Sequence, residues 1–206
     1  MSDVSRQAHW ENVYATRGER EVSWFEEQPA LSLELIGAAG ATPRSSVIDV
    51  GGGASRLVDA LLADAFEAVT VLDISEPALS AAKRRLGSKA AQVTWVVADV
   101  TTWEPSQQYD LWHDRAVLHF LTDASDRAAY VARLAEALRP GGHAIIGTFA
   151  LDGPERCSGL PVVRYNAASL AALLGPDFDL VETRTHAHKT PMGGVQRFQF
   201  SLFRRR

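Results

Sequence analysis

One stretch constrains this chain more than any other: SVIDVGGGASRLVDALL, Ser46 to Leu62. An apolar strand runs into three consecutive glycines and leaves as an amphipathic helix, which is the start of a β-α-β unit. The pattern then repeats. Strands are expected at 46–50, 68–75, 92–100, 109–117 and 143–150. Helices are expected at 56–65, 76–87 and 124–142, the last ended by Pro140 and two glycines. Ser75 is placed to cap the second helix, with Pro77 in its first turn and Gly87 as its stop. The runs VIDV, VTVL and AIIG are almost continuously apolar, as strands covered on both faces must be. An α/β fold follows, with an open, mostly parallel sheet and helices on both sides. The end of the chain differs. Residues 178–188 and 195–205 alternate around a KTPMGG turn, as an antiparallel hairpin does.

A parallel sheet of this kind binds ligands at the carboxyl ends of its strands. The first three such ends carry Asp49, Asp73 and Asp99. The glycine turn itself can be tested against two phosphate-binding patterns. A P-loop requires a second glycine five residues after Gly51, followed by Lys-Ser or Lys-Thr; Arg56 stands at the glycine's position, with no such pair behind it. A dinucleotide turn requires a third glycine where Arg56 again falls. Asp49 beside the turn also opposes a pyrophosphate, while suiting an ammonium group.

Asp73 lies twenty residues after Gly53 and is placed to accept both hydroxyls of a ribose. Asp99, followed by Val100, is placed to accept from the amine of an adenine. An amine, a ribose diol and an adenine without phosphate describe S-adenosylmethionine. The cofactor residues expected from this reading are Asp49, Gly51, Gly52, Gly53, Asp73, Ile74, Asp99 and Val100.

The segments VIDVGGGAS, VLDIS, VVADV, YDLWHDRAVLHFL and LRPGGHAIIGTF resemble, in order and spacing, the motifs of class I S-adenosylmethionine-dependent methyltransferases. The resemblance covers about Val47 to Phe149, with Ser55 in place of the family's last turn glycine. It implies a Rossmann-like seven-stranded sheet ending in the antiparallel hairpin. A narrower likeness is to the thiopurine and tellurite methyltransferase branch, through residues 109–142, 158–175 and the N-terminal HWENVYATRGEREVSWFEEQP. It implies that Trp10 and Trp24 cover the cofactor and that Arg115 contacts it, near its carboxylate. One domain over 1–206 is expected: an aromatic cap at 1–30, a cofactor core at 45–150, and a substrate-side segment with the hairpin at 151–206.

Methyl transfer needs alignment and exclusion of water more than it needs a base. Trp24, His113, Asp114 and His119 are the substrate-side candidates, with the two histidines the candidate bases. No catalytic residue is assigned beyond these. The expected acceptor is a small soft nucleophile such as a thiol or metalloid. A lysine side chain or other amine is the alternative within the class. A nicotinamide oxidoreductase and a non-catalytic cofactor-binding module are the rivals outside it. His186 and His188 share a strand face without a carboxylate or cysteine partner in the sequence, so no metal site is expected.

Bulk properties set the partners. A net charge of −4 provides no field for nucleic acid or an anionic membrane. One cysteine, Cys157, leaves no internal disulfide and fits a reducing compartment. The first residues carry no apolar signal core and no run reaches membrane-span length, so a cytoplasmic protein is expected. Nothing in the sequence fixes an oligomeric state.

Overall fold

The computed structural model describes residues 3–206, with side chains from Arg6 onward; residues 1 and 2 of the expected cap lie outside the described residues. Helix α1 (Asp3–Thr16) and helix α2 (Ala30–Ala38) precede the sheet. Then β1 (Ser46–Val50), α3 (Leu57–Ala63), β2 (Ala68–Asp73), α4 (Glu76–Leu86), β3 (Val93–Val97) and β4 (Tyr109–Arg115) alternate. Helix α5 (Ala124–Ala137) runs directly into β5 (Leu138–Phe149). A small hairpin, β6 (Arg156–Cys157) with β7 (Leu160–Pro161), leads to α6 (Ala167–Leu174). The chain closes with β8 (Phe178–Lys189) and β9 (Val195–Arg205).

The seven-stranded sheet has the order β3-β2-β1-β4-β5-β9-β8. Strands β1 to β5 are parallel, and β9 lies antiparallel between β5 and β8. Strand order reverses direction between β1 and β4, which opens a crevice at their carboxyl ends.

Consecutive residues of β1 serve opposite faces. Val47 packs with Leu57, Leu61, Leu111, Ile145 and Phe200 on one side. Ile48 and Val50 pack with Trp112, Leu134, Ile146 and Phe203 on the other. Each of these side chains is at most 1% exposed, and burying one contributes about 1.5–3 kcal/mol.

Local signals set several ends. Ser75 Oγ accepts from the Ala78 N–H at 3.3 Å, and Gly87 terminates α4 with φ +57°. One expected boundary is corrected. The run 138–142 was expected to finish a helix, but Leu138 already pairs with Tyr109 as β5 begins. The register then shifts before Leu111 meets His143, so the Pro-Gly-Gly run is an irregular strand entry and not a helix end. The expected terminal hairpin is present at 178–189 and 195–205. No helix among the described residues is long and apolar enough to cross a membrane.

Candidate active site

A cavity of about 860 Å³, counting its open mouth, lies at the carboxyl ends of β1, β2, β3 and β4. Val50, Gly51, Leu72, Asp73, Ile74, Ala98, Asp99 and Val100 form its sheet side, and Arg115 to Val117 with His119 to Leu121 form the β4 side. Trp10, Tyr14 and Trp24 close it from the N-terminal segment.

The three glycines do different work. Gly51 alone among them lines the cavity. A Cβ on Gly52 would lie 2.5 Å from Asp49 Oδ2, so this glycine makes room for a carboxylate of the protein itself. A Cβ on Gly53, which has φ +45°, would lie 2.9 Å from Asp73 Oδ2. The bareness of the turn therefore accommodates two aspartates as much as any ligand.

Those aspartates face different ways. Asp49 is not part of the cavity wall. Its Oδ1 lies 2.7 Å from His113 Nδ1, and His113 Nε2 lies 2.9 Å from Ser32 Oγ. All three residues are buried, so the chain of bonds fastens α2 to β1 and β4 beneath the turn. The expected roles of Asp49 against an ammonium group and of His113 as a base give way to this support, because both polar ends of the imidazole are engaged.

Asp73 does face the cavity. Its Oδ1 accepts from the Ser75 N–H at 2.8 Å. Burial pushes its carboxyl up to about 7, and the charge of Asp49 adds to that against backbone N–H bonds from Ser75, Gly53 and Ile74. A buried carboxylate in this condition gains from hydroxyl donors. A ribose diol offers two.

Asp99 is held on both sides. Its Oδ1 accepts from Thr101 N–H and Oγ1–H, and its Oδ2 accepts from Arg6 Nε at 3.0 Å. Arg6 also reaches Asp126 at 2.5 Å and Thr101 at 3.3 Å. Sequence reasoning missed Arg6, since nothing local ties a residue in α1 to the end of β3.

After β4 the chain turns sharply. Ala116 adopts φ +78°, a conformation an alanine enters at a cost. Asp114 holds the turn by accepting from Val117 and Leu118 N–H at 2.7 and 3.1 Å and from Tyr130 Oη–H at 2.6 Å. Asp114 is thus an anchor pointed away from the cavity, which it does not line.

Arg115 stands between the main cavity and a smaller one of about 440 Å³ lined by Tyr14, Ser32, Ala54, Ser55 and His113. One terminal nitrogen donates to the Trp24 carbonyl at 2.8 Å, and the other lies 2.9 Å from Glu26 Oε1. Its Nε is buried without a partner among the described residues. The guanidinium sits 5.3 Å from the Phe198 ring centroid. A carboxylate entering beside the glycine turn would find a donor there.

Glu26 also lies 3.1 Å from His188 Nδ1 and 3.5 Å from His186 Nε2. The fold thus supplies the carboxylate that the sequence around the two histidines lacked. Arg115 shares the same oxygen, so the group is charge-balanced as it stands.

His119 is fully buried and lines the cavity, with Nδ1 accepting from the Phe149 N–H at 3.3 Å. Burial, then the charge of Arg115, pushes its imidazole down to about 3. A neutral ring with an occupied acceptor is no general base at neutral pH. Burial pushes the Cys157 thiol up to about 11, which makes it a poor nucleophile in this wall. The aromatic lid is built edge to face, with Trp10 at 5.7 Å from Trp24 and 4.9 Å from Phe120.

Comparison with known proteins agrees with this fold. Residues 47–142 match the family described as "Methyltransferase domain". A curated relative, Nodulation protein S of Rhizobium tropici, is 30% identical over 60% of this chain and 51% of its own. The chain spans about half the length of the first curated relatives it matches. Among solved structures, the N-methyltransferase NodS of Bradyrhizobium japonicum WM9, in complex with S-adenosylhomocysteine, superposes with a TM-score of 0.72 at 18% identity, over 95% of this chain and 97% of that one. The 1,6-didemethyltoxoflavin-N1-methyltransferase of Burkholderia thailandensis, also with S-adenosylhomocysteine, gives 0.70 at 23% identity, over 98% and 84%.

Proposed function

We propose that this protein, which has the class I methyltransferase fold and whose residues 47–142 fall in the methyltransferase-domain family, transfers a methyl group from S-adenosylmethionine to a small soft acceptor. The observation that carries the reading is Asp73. It is a buried carboxylate at the end of β2, raised toward neutrality, facing a cavity that also holds the end of β3. The cofactor, when bound, supplies an electrophilic methyl group on sulfur. Asp73 would hold its ribose, Ile74, Asp99 and Val100 would flank its adenine, and Gly51 with Arg115 would meet its methionine end. Trp10 and Trp24 would cover it and exclude water.

Among the described residues neither candidate histidine is a free base: His113 is bonded at both nitrogens, and His119 is neutral with its acceptor occupied. The acceptor must therefore arrive with its lone pair available. A thiol ionised in solution, a metalloid species or an unprotonated nitrogen meets that demand, and the chain's task is to align it. Nitrogen is the second reading, favoured by the N-methyltransferases among the structural neighbours.

Calorimetry with S-adenosylmethionine, S-adenosylhomocysteine and NADH tests the cofactor. Binding of the first two without the third is expected; the reverse would move the protein to the oxidoreductases. Transfer of a labelled methyl group is then followed across a thiol, a metalloid oxyanion, a small amine and a lysine peptide. Cofactor binding without transfer to any of them would make this a binding module.

A further inference from the structure

His119 and Gln196 line the cavity, and each carries a buried polar atom without a partner among the described residues. A backbone N–H can only donate, so the bond from Phe149 to Nδ1 leaves that nitrogen without a proton. The neutral ring then carries its proton on Nε2, and Nε2 is buried without a partner among the described residues. Phe120 and Phe149 pack on the imidazole at 4.4 and 4.7 Å and hold it in place. Gln196 donates through Nε2 to Ser23 Oγ at 3.3 Å, which leaves Oε1 as a buried acceptor, also without a partner. A fold tolerates two such atoms in one cavity when its occupant completes them.

We propose that His119 and Gln196 select the methyl acceptor, His119 Nε2–H donating to it and Gln196 Oε1 receiving from it, so that the acceptor is a small uncharged molecule with an amide-like edge. Carboxamides, lactams and amino-azines present such an acceptor beside an N–H donor. The inference rests on the methyl-transfer reading above and narrows its substrate class.

Charge supports the uncharged class. The carboxylates in the cavity wall, Asp73 and Asp99, belong to the strand ends assigned to the cofactor. None faces the cavity from the His119 side to hold an ammonium group. Arg115, paired with Glu26 and with its Nε unpartnered among the described residues, is the group that the methyl-transfer reading gives to the cofactor's carboxylate. Trp10, Trp24, Phe120 and Phe198 give the wall flat apolar surface. Neutrality of His119 suits donation and forbids a role as base, since burial and Arg115 hold its ring at about 3.

Three probes of one shape separate the possibilities: pyridine-3-carboxamide, pyridine-3-carboxylate and 3-methylpyridine. Each carries a ring nitrogen whose lone pair can form the new N–C bond, while the electrons of the broken S–C bond remain on sulfur. No proton has to leave. Titrated by calorimetry into the protein saturated with S-adenosylhomocysteine, the carboxamide should bind at least about tenfold more tightly than either other probe.

His119→Asn keeps a side-chain acceptor for the Phe149 N–H and removes the Nε2 donor. It should weaken the carboxamide about tenfold while leaving 3-methylpyridine binding and S-adenosylhomocysteine binding unchanged. Gln196→Leu should act in the same direction. Equal or absent binding of the three probes overturns the proposal, as does carboxamide affinity unchanged in His119→Asn. Preference for the carboxylate overturns it in favour of Arg115 reading an anion. Failure of S-adenosylhomocysteine itself to bind overturns the methyl-transfer reading instead.

Discussion

Arg6 Nε donates to Asp99 Oδ2 at 3.0 Å, joining α1 to the end of β3 across 93 positions of sequence. The same guanidinium holds Asp126 at the start of α5. The helix that bears Trp10 and Tyr14 is therefore fastened over the end of the cavity that the proposed function gives to the adenine, and a nucleoside bound there would be held under that fastening. Arg6→Met keeps the apolar stem and removes the bonds. It should speed release of S-adenosylhomocysteine by about tenfold or more, since hydrogen bonds to charged groups contribute about 1.5–3 kcal/mol. Stopped-flow tryptophan fluorescence, with Trp10 and Trp24 as reporters, measures the rate. Release at the wild-type rate would make α1 a fixed wall.

The proposed role of Asp73 couples cofactor affinity to pH. On that reading the charged carboxylate accepts the ribose hydroxyls, and burial has raised its value from 3.8 to about 7. Affinity should therefore rise as pH increases through about 7, with a one-proton dependence that Asp73→Asn abolishes. Asp73→Ala should weaken binding at least about tenfold at pH 8. The apo protein shows the opposite sign. A group whose folded value exceeds its unfolded one gives stability that is full below about 4 and is lost as pH rises to about 7. The Tm of the apo chain should fall across that window more steeply than that of Asp73→Asn. Parallel curves, together with a pH-independent affinity, would remove Asp73 from the ribose.

These two aspartates show what was legible in the sequence. Asp73 and Asp99 stand at strand ends, and strand ends follow from local apolar runs, so their place beside a ligand cavity was readable. The cap and stop of α4 were readable for the same reason. The bonds of Asp49 were not legible because its partner, His113, and that residue's own partner, Ser32, come from other elements, His113 and Ser32 lying 81 positions apart. The contact between Glu26 and His188 likewise exists only once the hairpin is folded against the cap. Leu138 reads as helix because Pro-Gly-Gly is a strong local stop, while its pairing with Tyr109 depends on β4 being in place. What local propensity sets could be read; what long-range pairing sets could not.

Tyr130 protects the turn that presents Arg115. Its hydroxyl donates to Asp114 Oδ2 at 2.6 Å, and burial has pushed the Asp114 carboxyl up to about 6 in spite of that bond. Tyr130→Phe removes a donor that favours the charged form, so the folded value of Asp114 rises further. The mutant should lose about 1.5–3 kcal/mol at pH 8, where Asp114 is ionised in both states, and less at pH 5, where the folded carboxyl holds its proton. Urea denaturation at the two pH values measures this. An equal loss at both would mean that the bond serves the neutral acid as well as the anion.

Glu26 ties the cap to the hairpin through Arg115 and His188. Burial alone would raise its carboxyl, but the His188 bond and the Arg115 charge outweigh that and hold it below the ordinary range. Glu26→Gln keeps the shape and removes the charge, leaving the buried Arg115 guanidinium without its counter-ion. A buried cation so exposed costs about 3–5 kcal/mol unless the segment relaxes. Trp24 is the residue that can relax, since its carbonyl accepts from the Arg115 donor that Glu26 positions. Amide exchange over residues 22–28 should therefore quicken in Glu26→Gln more than exchange in β1 or β4, and S-adenosylhomocysteine should restore part of the protection by giving Arg115 a new anion. Uniform exchange throughout the chain would place the loss in global stability and take the latch away from Glu26.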